Sequence, residues 1–115
     1  MDNSFISDMS IFNNDISFLI KLRAKPQILE IVKKKHLDEI SDEISIQDKK
    51  NDLLIWNAMY TREIVENGIL TRYLHPIYNK FYTLIPTLNT IDDLQTIEIQ
   101  MIDTYLSLIH ISDGA

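Results

Sequence analysis

Cysteine is absent from this 115-residue chain. That removes disulfides, thiol nucleophiles and cysteine-ligated zinc from consideration. Glycine and proline are scarce, at two and three residues, so each one is informative about where an element ends. No Gly-rich loop is present to cradle a phosphate, and no Gly-x-Ser-x-Gly elbow to present a nucleophile. No apolar run approaches the roughly 18 residues of a membrane span. Basic residues are missing from both ends: residues 1–20 hold three acids and no base, and residues 81–115 five acids and no base.

What is present belongs to an ordinary globular composition, 45% hydrophobic and 24% charged, at a length that suits one domain spanning residues 1–115. The acidic start MDNSFISDMSIF lacks the basic opening of an export signal. A cytoplasmic protein without membrane association is expected. The net charge of −6 opposes nonspecific nucleic-acid binding, because phosphates repel an acidic surface.

The apolar residues recur at helical spacing. Met9, Phe12, Ile16, Leu19 and Ile20 make one stripe, and Pro26 interrupts the chain after it. Ile28, Ile31, Val32, Leu37, Ile40 and Ile44 offer a second inward face. Ser45 and Asp48 resemble a capping pair at the start of a helix whose stripe is Leu53, Trp56, Tyr60 and Ile64. Gly68 suits a left-handed cap at its end. An aromatic helix follows, with Pro76 a candidate for its first turn and Pro86 its stop. Thr90 caps the last helix, and Asp92 and Asp93 favour its dipole. TIEIQMI, residues 96–102, alternates like a strand, but Leu94, Ile97, Met101, Tyr105 and Leu108 step by three and four over a longer window. Ile99, Ile102, Leu106 and Ile109 widen that face, which marks a helix central in a bundle or buried at an oligomer interface. The expectation is an all-α, single-domain bundle of four to five mostly antiparallel helices, near 6–23, 26–43, 46–67, 70–85 and 91–111.

Candidate sites are few. TRYLHPIYNKFYTLIP sets Tyr73, Ile77 and Phe81 four apart beside Tyr78, Tyr82 and Ile85, a core face with hydroxyls at the rim. In KLRAKPQILEIVKKKH, Glu30 faces Lys34, Lys34 faces Asp38 and Lys35 faces Glu39, so this basic segment reads as a self-neutralised surface. The acidic last helix is a further partner for Lys21, Arg23 and Lys25. His36, Glu39 and Glu43 share a helical face, yet one His-x-x-Glu without a second matching set is no metal centre. His110 with Asp113 lies near the chain end. No catalytic, cofactor-binding or metal-ligating residue is assigned, and no cofactor.

Arg23 and Lys34, eleven residues apart, with ENGILTRYLHPIYNKF as turn and aromatic helix, resemble the all-helical chorismate mutases over about half the chain. That resemblance implies a long first helix and a dicarboxylate site in which Arg23 and Lys34 share an enclosed pocket. Ile6, Ile46, Lys50 and Asp92 stand where the family carries an early Arg, an Asp, a Glu and a late Gln, so the likeness concerns fold.

The functional expectation is a small acidic non-enzymatic protein that binds another protein, as a regulator, an inhibitor or immunity-type protein, or a chaperone or adaptor module. Trp56, Tyr60, Tyr73, Tyr78 and Tyr82 are its candidate anchors. Asp92, Asp93 and Asp103 would steer a basic partner. The alternatives are a chorismate-mutase-like enzyme and a homodimer formed through the last helix.

Overall fold

A computed structural model describes residues 14–114, and side chains from 16 to 109. Met9 and Phe12 lie outside the described residues, as do the side chains of His110 and Asp113. The architecture is all-α: α1 (Asn14–Lys21), α2 (Lys25–Ser41), α3 (Ile46–Glu66), α4 (Thr71–Leu84), a 3-10 turn (Ile85–Thr87) and α5 (Ile91–Gly114). No strand occurs among the described residues.

Two helices start where a hydroxyl can cap them. The Ser45 Oγ accepts from the Asp48 N–H at 3.0 Å, and the Thr90 Oγ1 from the Asp93 N–H at 3.0 Å. Each satisfies a backbone donor that the first turn would otherwise leave unpaired. Pro26 is the second residue of α2, where its missing N–H costs nothing. Pro76 does not start α4: the helix begins at Thr71 and runs through it. Pro76 therefore withholds the donor that the Arg72 carbonyl would receive in a regular helix.

Helix ends share one device. α1, α2 and α3 each close with a six-to-one backbone bond, Ala24 to Leu19 at 2.9 Å, Ile44 to Glu39 at 3.0 Å and Ile69 to Ile64 at 3.4 Å. This closure requires a left-handed residue just past the helix. Gly68 fills that position after α3 (φ 98°), but Arg23 (φ 57°) and Glu43 (φ 52°) fill it after α1 and α2.

α3 is central. It packs against α5, α4 and α1, while α2 lies against α1 and α5. Trp56 and Tyr60 (ring centres 5.3 Å apart, tilted), Tyr60 and Tyr105 (6.1 Å, stacked) and Phe81 and Tyr105 (6.0 Å, tilted) form a continuous line of ring contacts through the core. Leu94, Ile97, Met101, Ile102, Tyr105, Leu106 and Ile109 of α5 are all buried within this chain, as befits a central helix. The expected inward face of α2 is only half right. Ile28 and Val32 are buried, but Leu37 and Ile40 are each 62% exposed, and Lys35 and Glu39 turn inward instead.

A non-glycine residue held left-handed costs about 1–2 kcal/mol. Glu43 is exposed, so Glu43→Gly should stabilise the fold by about 1 kcal/mol. Urea unfolding followed by circular dichroism checks this; a lowered midpoint would contradict the closure described.

Candidate functional site

The inward turn of α2 creates the most concentrated polar chemistry in the described chain. Lys35 lies three residues past Val32, and Glu39 a further four, so both continue the buried Ile28–Val32 face. On α3, Lys49 and Asp52 extend the Leu53–Trp56–Tyr60 stripe backwards by one turn. On α5, Glu98 interrupts the apolar stripe between Leu94 and Met101. The packing of three helices brings these five charges and His36 together.

Glu98 is the hub. One of its oxygens (Oε2) accepts from the Lys35 ammonium at 2.8 Å; the other (Oε1) faces the Lys49 ammonium at 2.5 Å and His36 Nε2 at 2.7 Å. Lys35 also meets Asp52 at 2.7 Å, and Lys49 meets Glu39 at 2.7 Å. The second Glu39 oxygen accepts from the Gln95 amide at 3.0 Å, and the same amide donates to the His36 carbonyl at 3.1 Å. The Lys35 ammonium stands 5.2 Å from the centre of the Trp56 ring, a cation–π contact. Two ammonium groups face three carboxylates, so the cluster carries one excess negative charge unless His36 is protonated.

Burial alone would raise the Glu98 carboxyl, but Lys35, the His36 hydrogen bond and Lys49 outweigh it and hold Glu98 well below the usual carboxylate range. Burial alone would lower Lys35, but Glu98 and Asp52 hold its ammonium above the usual range. Burial, with Glu98 and Asp52 close by, pushes the Tyr60 hydroxyl well above its ordinary value.

His36, Glu39 and Glu98 each place one ligand-type atom within 4.8 Å of the others. The Lys49 ammonium already bridges the two carboxylates, at 2.7 and 2.5 Å, so a built-in cation occupies the position a metal ion would take. Glu43, the third member of the sequence-derived trio, sits instead in the left-handed turn after α2. Lys35 pairs with α3 and α5 rather than with Glu39, because both side chains point into the bundle and find stronger, drier partners there.

A second polar group lies one turn further along α3. The Tyr105 hydroxyl donates to Asn57 Oδ1 at 2.5 Å and accepts from the Thr61 hydroxyl at 2.8 Å, while the Asn57 amide donates to the Tyr78 carbonyl at 3.0 Å. Burial pushes the Tyr105 hydroxyl up to about 12. This group ties α3 to α4 and α5.

The other expected residues disperse. Trp56 and Tyr60 are buried, so they anchor the core rather than a partner; Tyr73 and Tyr82 are more than half exposed, and Phe81 is buried. Lys25 pairs with Asp103 of α5, as the charge distribution suggested. Arg23 stands in the turn between α1 and α2, so no long first helix joins it to Lys34. Both are exposed, the reverse of what an enclosed dicarboxylate site requires. No protein-family model, curated protein or solved structure matches this chain.

The pH response follows from the two shifted groups. Glu98, with its folded pKa depressed, contributes stability above its unfolded pKa near 4.3, lost as pH falls towards the folded value. Lys35, with its folded pKa raised, contributes stability below about 10.4, lost as pH rises through the folded value. The urea midpoint should therefore fall as pH drops below about 4.3 and as it rises above about 10.4. Glu98→Gln should lower the stability between these limits by about 1.5–3 kcal/mol, because Lys35 and Lys49 each lose one charged partner and keep only Asp52 and Glu39, and should flatten the acid limb. An unchanged acid limb would contradict the role of Glu98 as hub.

Proposed function

We propose that this chain is a non-enzymatic binding protein that engages another protein through the outward face of α2. The observation that carries this reading is the reversed polarity of α2 after Val32. Charged Lys35 and Glu39 point in, while Leu37 and Ile40 point out, each 62% exposed. Scattered exposed apolar residues are normal on any surface. Two on one helical face, opposite two buried charges, are not the default of an amphipathic helix.

The interior chemistry supports the same reading. Catalytic acids and bases need a substrate within hydrogen-bond reach. Here Lys35, Lys49, Glu39 and Glu98 are engaged by one another at 2.5–2.8 Å and buried. The cluster holds helices together rather than presenting a reactive group.

Exposed Asp92 and Asp93 at the start of α5, in a chain of net charge −6, favour encounter with a basic protein. A second copy of this chain remains the alternative occupant of the α2 face. Most of the wide apolar face of α5 is covered within the chain, with Ile99 and Leu108 half-buried.

Leu37→Glu with Ile40→Glu tests this. Both sites are exposed, so folding stability should change by no more than about 0.5 kcal/mol per site. Tagged native chain, expressed in its own cells, should retain a stoichiometric partner that the double variant loses. Light scattering separates a hetero-partner from a dimer. A native chain that captures nothing and stays monomeric, or a double variant that retains the same partner, would overturn the proposal.

A further inference from the structure

An open groove of about 310 Å³ runs between α3 and the first half of α4. Ala58, Thr61, Leu74 and Tyr78 line it, with Arg62 and His75 also on its walls. Leu74 is fully buried, and Ala58, exposed on α3, is too small to fill the space above it. The apolar surface continues past the groove. Val65 and Leu70 are exposed in the neighbouring turns, and Tyr82, also exposed, stacks on Tyr78 with ring centres 6.0 Å apart.

Shape argues against a compact small molecule. Such ligands are bound where most of their surface can be enclosed, and this groove is open to solvent with an apolar margin beyond it. An extended or helical chain segment fits better, with one side chain in the groove and its neighbours along the margin.

Charge selects the segment. Arg62 and His75 are the basic residues lining the groove and no acid lines it, in a chain of net charge −6. Arg62 on the groove wall meets Glu66 through its Nε at 3.4 Å, with side chains 81% and 47% exposed. Such exposed pairs contribute about 0–1 kcal/mol, so an incoming carboxylate exchanges for Glu66 at little cost. A carboxylate can meet a guanidinium through two parallel hydrogen bonds. The nearby Glu63 carboxylate is already held by the Ser17 hydroxyl at 2.8 Å.

We infer that the α3–α4 groove docks an acidic segment of a partner protein, an apolar side chain lying between Ala58 and Tyr78 and an adjacent carboxylate meeting Arg62. The site adds a second contact surface to the partner-binding reading and uses different helices, so either can fail alone.

Random dodecapeptides displayed on phage and panned against the full chain provide the probe, with the enriched peptide synthesised for fluorescence anisotropy. The expected peptides place Asp or Glu beside Leu, Ile, Met or Phe. Ala58→Glu and Arg62→Glu, both at exposed positions, should each weaken binding by about tenfold or more. Arg62→Lys should recover part of that loss, and the charge reversal Lys33→Glu on α2 should leave affinity unchanged. Enriched peptides without acids, no enrichment at all, or equal binding to native and Ala58→Glu chains would overturn the inference, whatever the fate of the α2 proposal.

Discussion

Glu98, caught between two lysine ammonium groups in the middle of the bundle, sets the rotation of the helices around it. A buried ion costs several kcal/mol of desolvation even after relaxation, and only close, well-directed partners recover that cost. The partners come from α2 (Lys35, His36, Glu39), α3 (Lys49, Asp52) and α5 (Gln95, Glu98). None of these helices can turn about its axis without breaking charge pairs in the other two.

The size of this effect decides the orientation of α2. Rolling the helix over would bury Leu37 and Ile40, but it would also expose Ile28 and Val32, which are now buried. At about 1.5–3 kcal/mol for each large aliphatic side chain, the two changes nearly cancel. The broken ion pairs do not cancel: removing a partner from a buried pair costs about 3–5 kcal/mol. The ionic cluster therefore selects one of two apolar-equivalent faces and leaves the other in solvent, where α2 is proposed to meet its partner.

The local signals in the sequence located most of the fold. Ser45, Thr90 and Gly68 mark helix ends through chemistry that acts within four residues, and the stripes on α3 and α5 are long enough to survive their interruptions. Two features depended on contacts distant in sequence. Lys35 and Glu39 satisfy the i,i+4 rule for a surface pair, yet their partners lie 10 to 63 residues away. Nothing local distinguishes a surface pair from two buried charges with separate partners. A signal was nevertheless present: Glu98 stands inside the apolar stripe of α5, and Lys49 and Asp52 extend that of α3, so three charges occupied core positions. The left-handed Arg23 and Glu43 were not legible, because a chain with two glycines closes its helices with whatever residue follows. The aromatic helix divided its rings by face, Phe81 inward and Tyr73 and Tyr82 outward.

This cysteine-free chain allows α2 to be read directly by thiol labelling. In single-cysteine chains, Leu37→Cys should react with a maleimide at nearly the rate of an unfolded peptide, while Val32→Cys, at a site only 3% exposed, should be protected by about 100-fold or more, as a core position opening only by local or global unfolding. Protection at Leu37→Cys together with free reaction at Val32→Cys would mean that the charged face turns outward, and that the cluster around Glu98 does not set this fold.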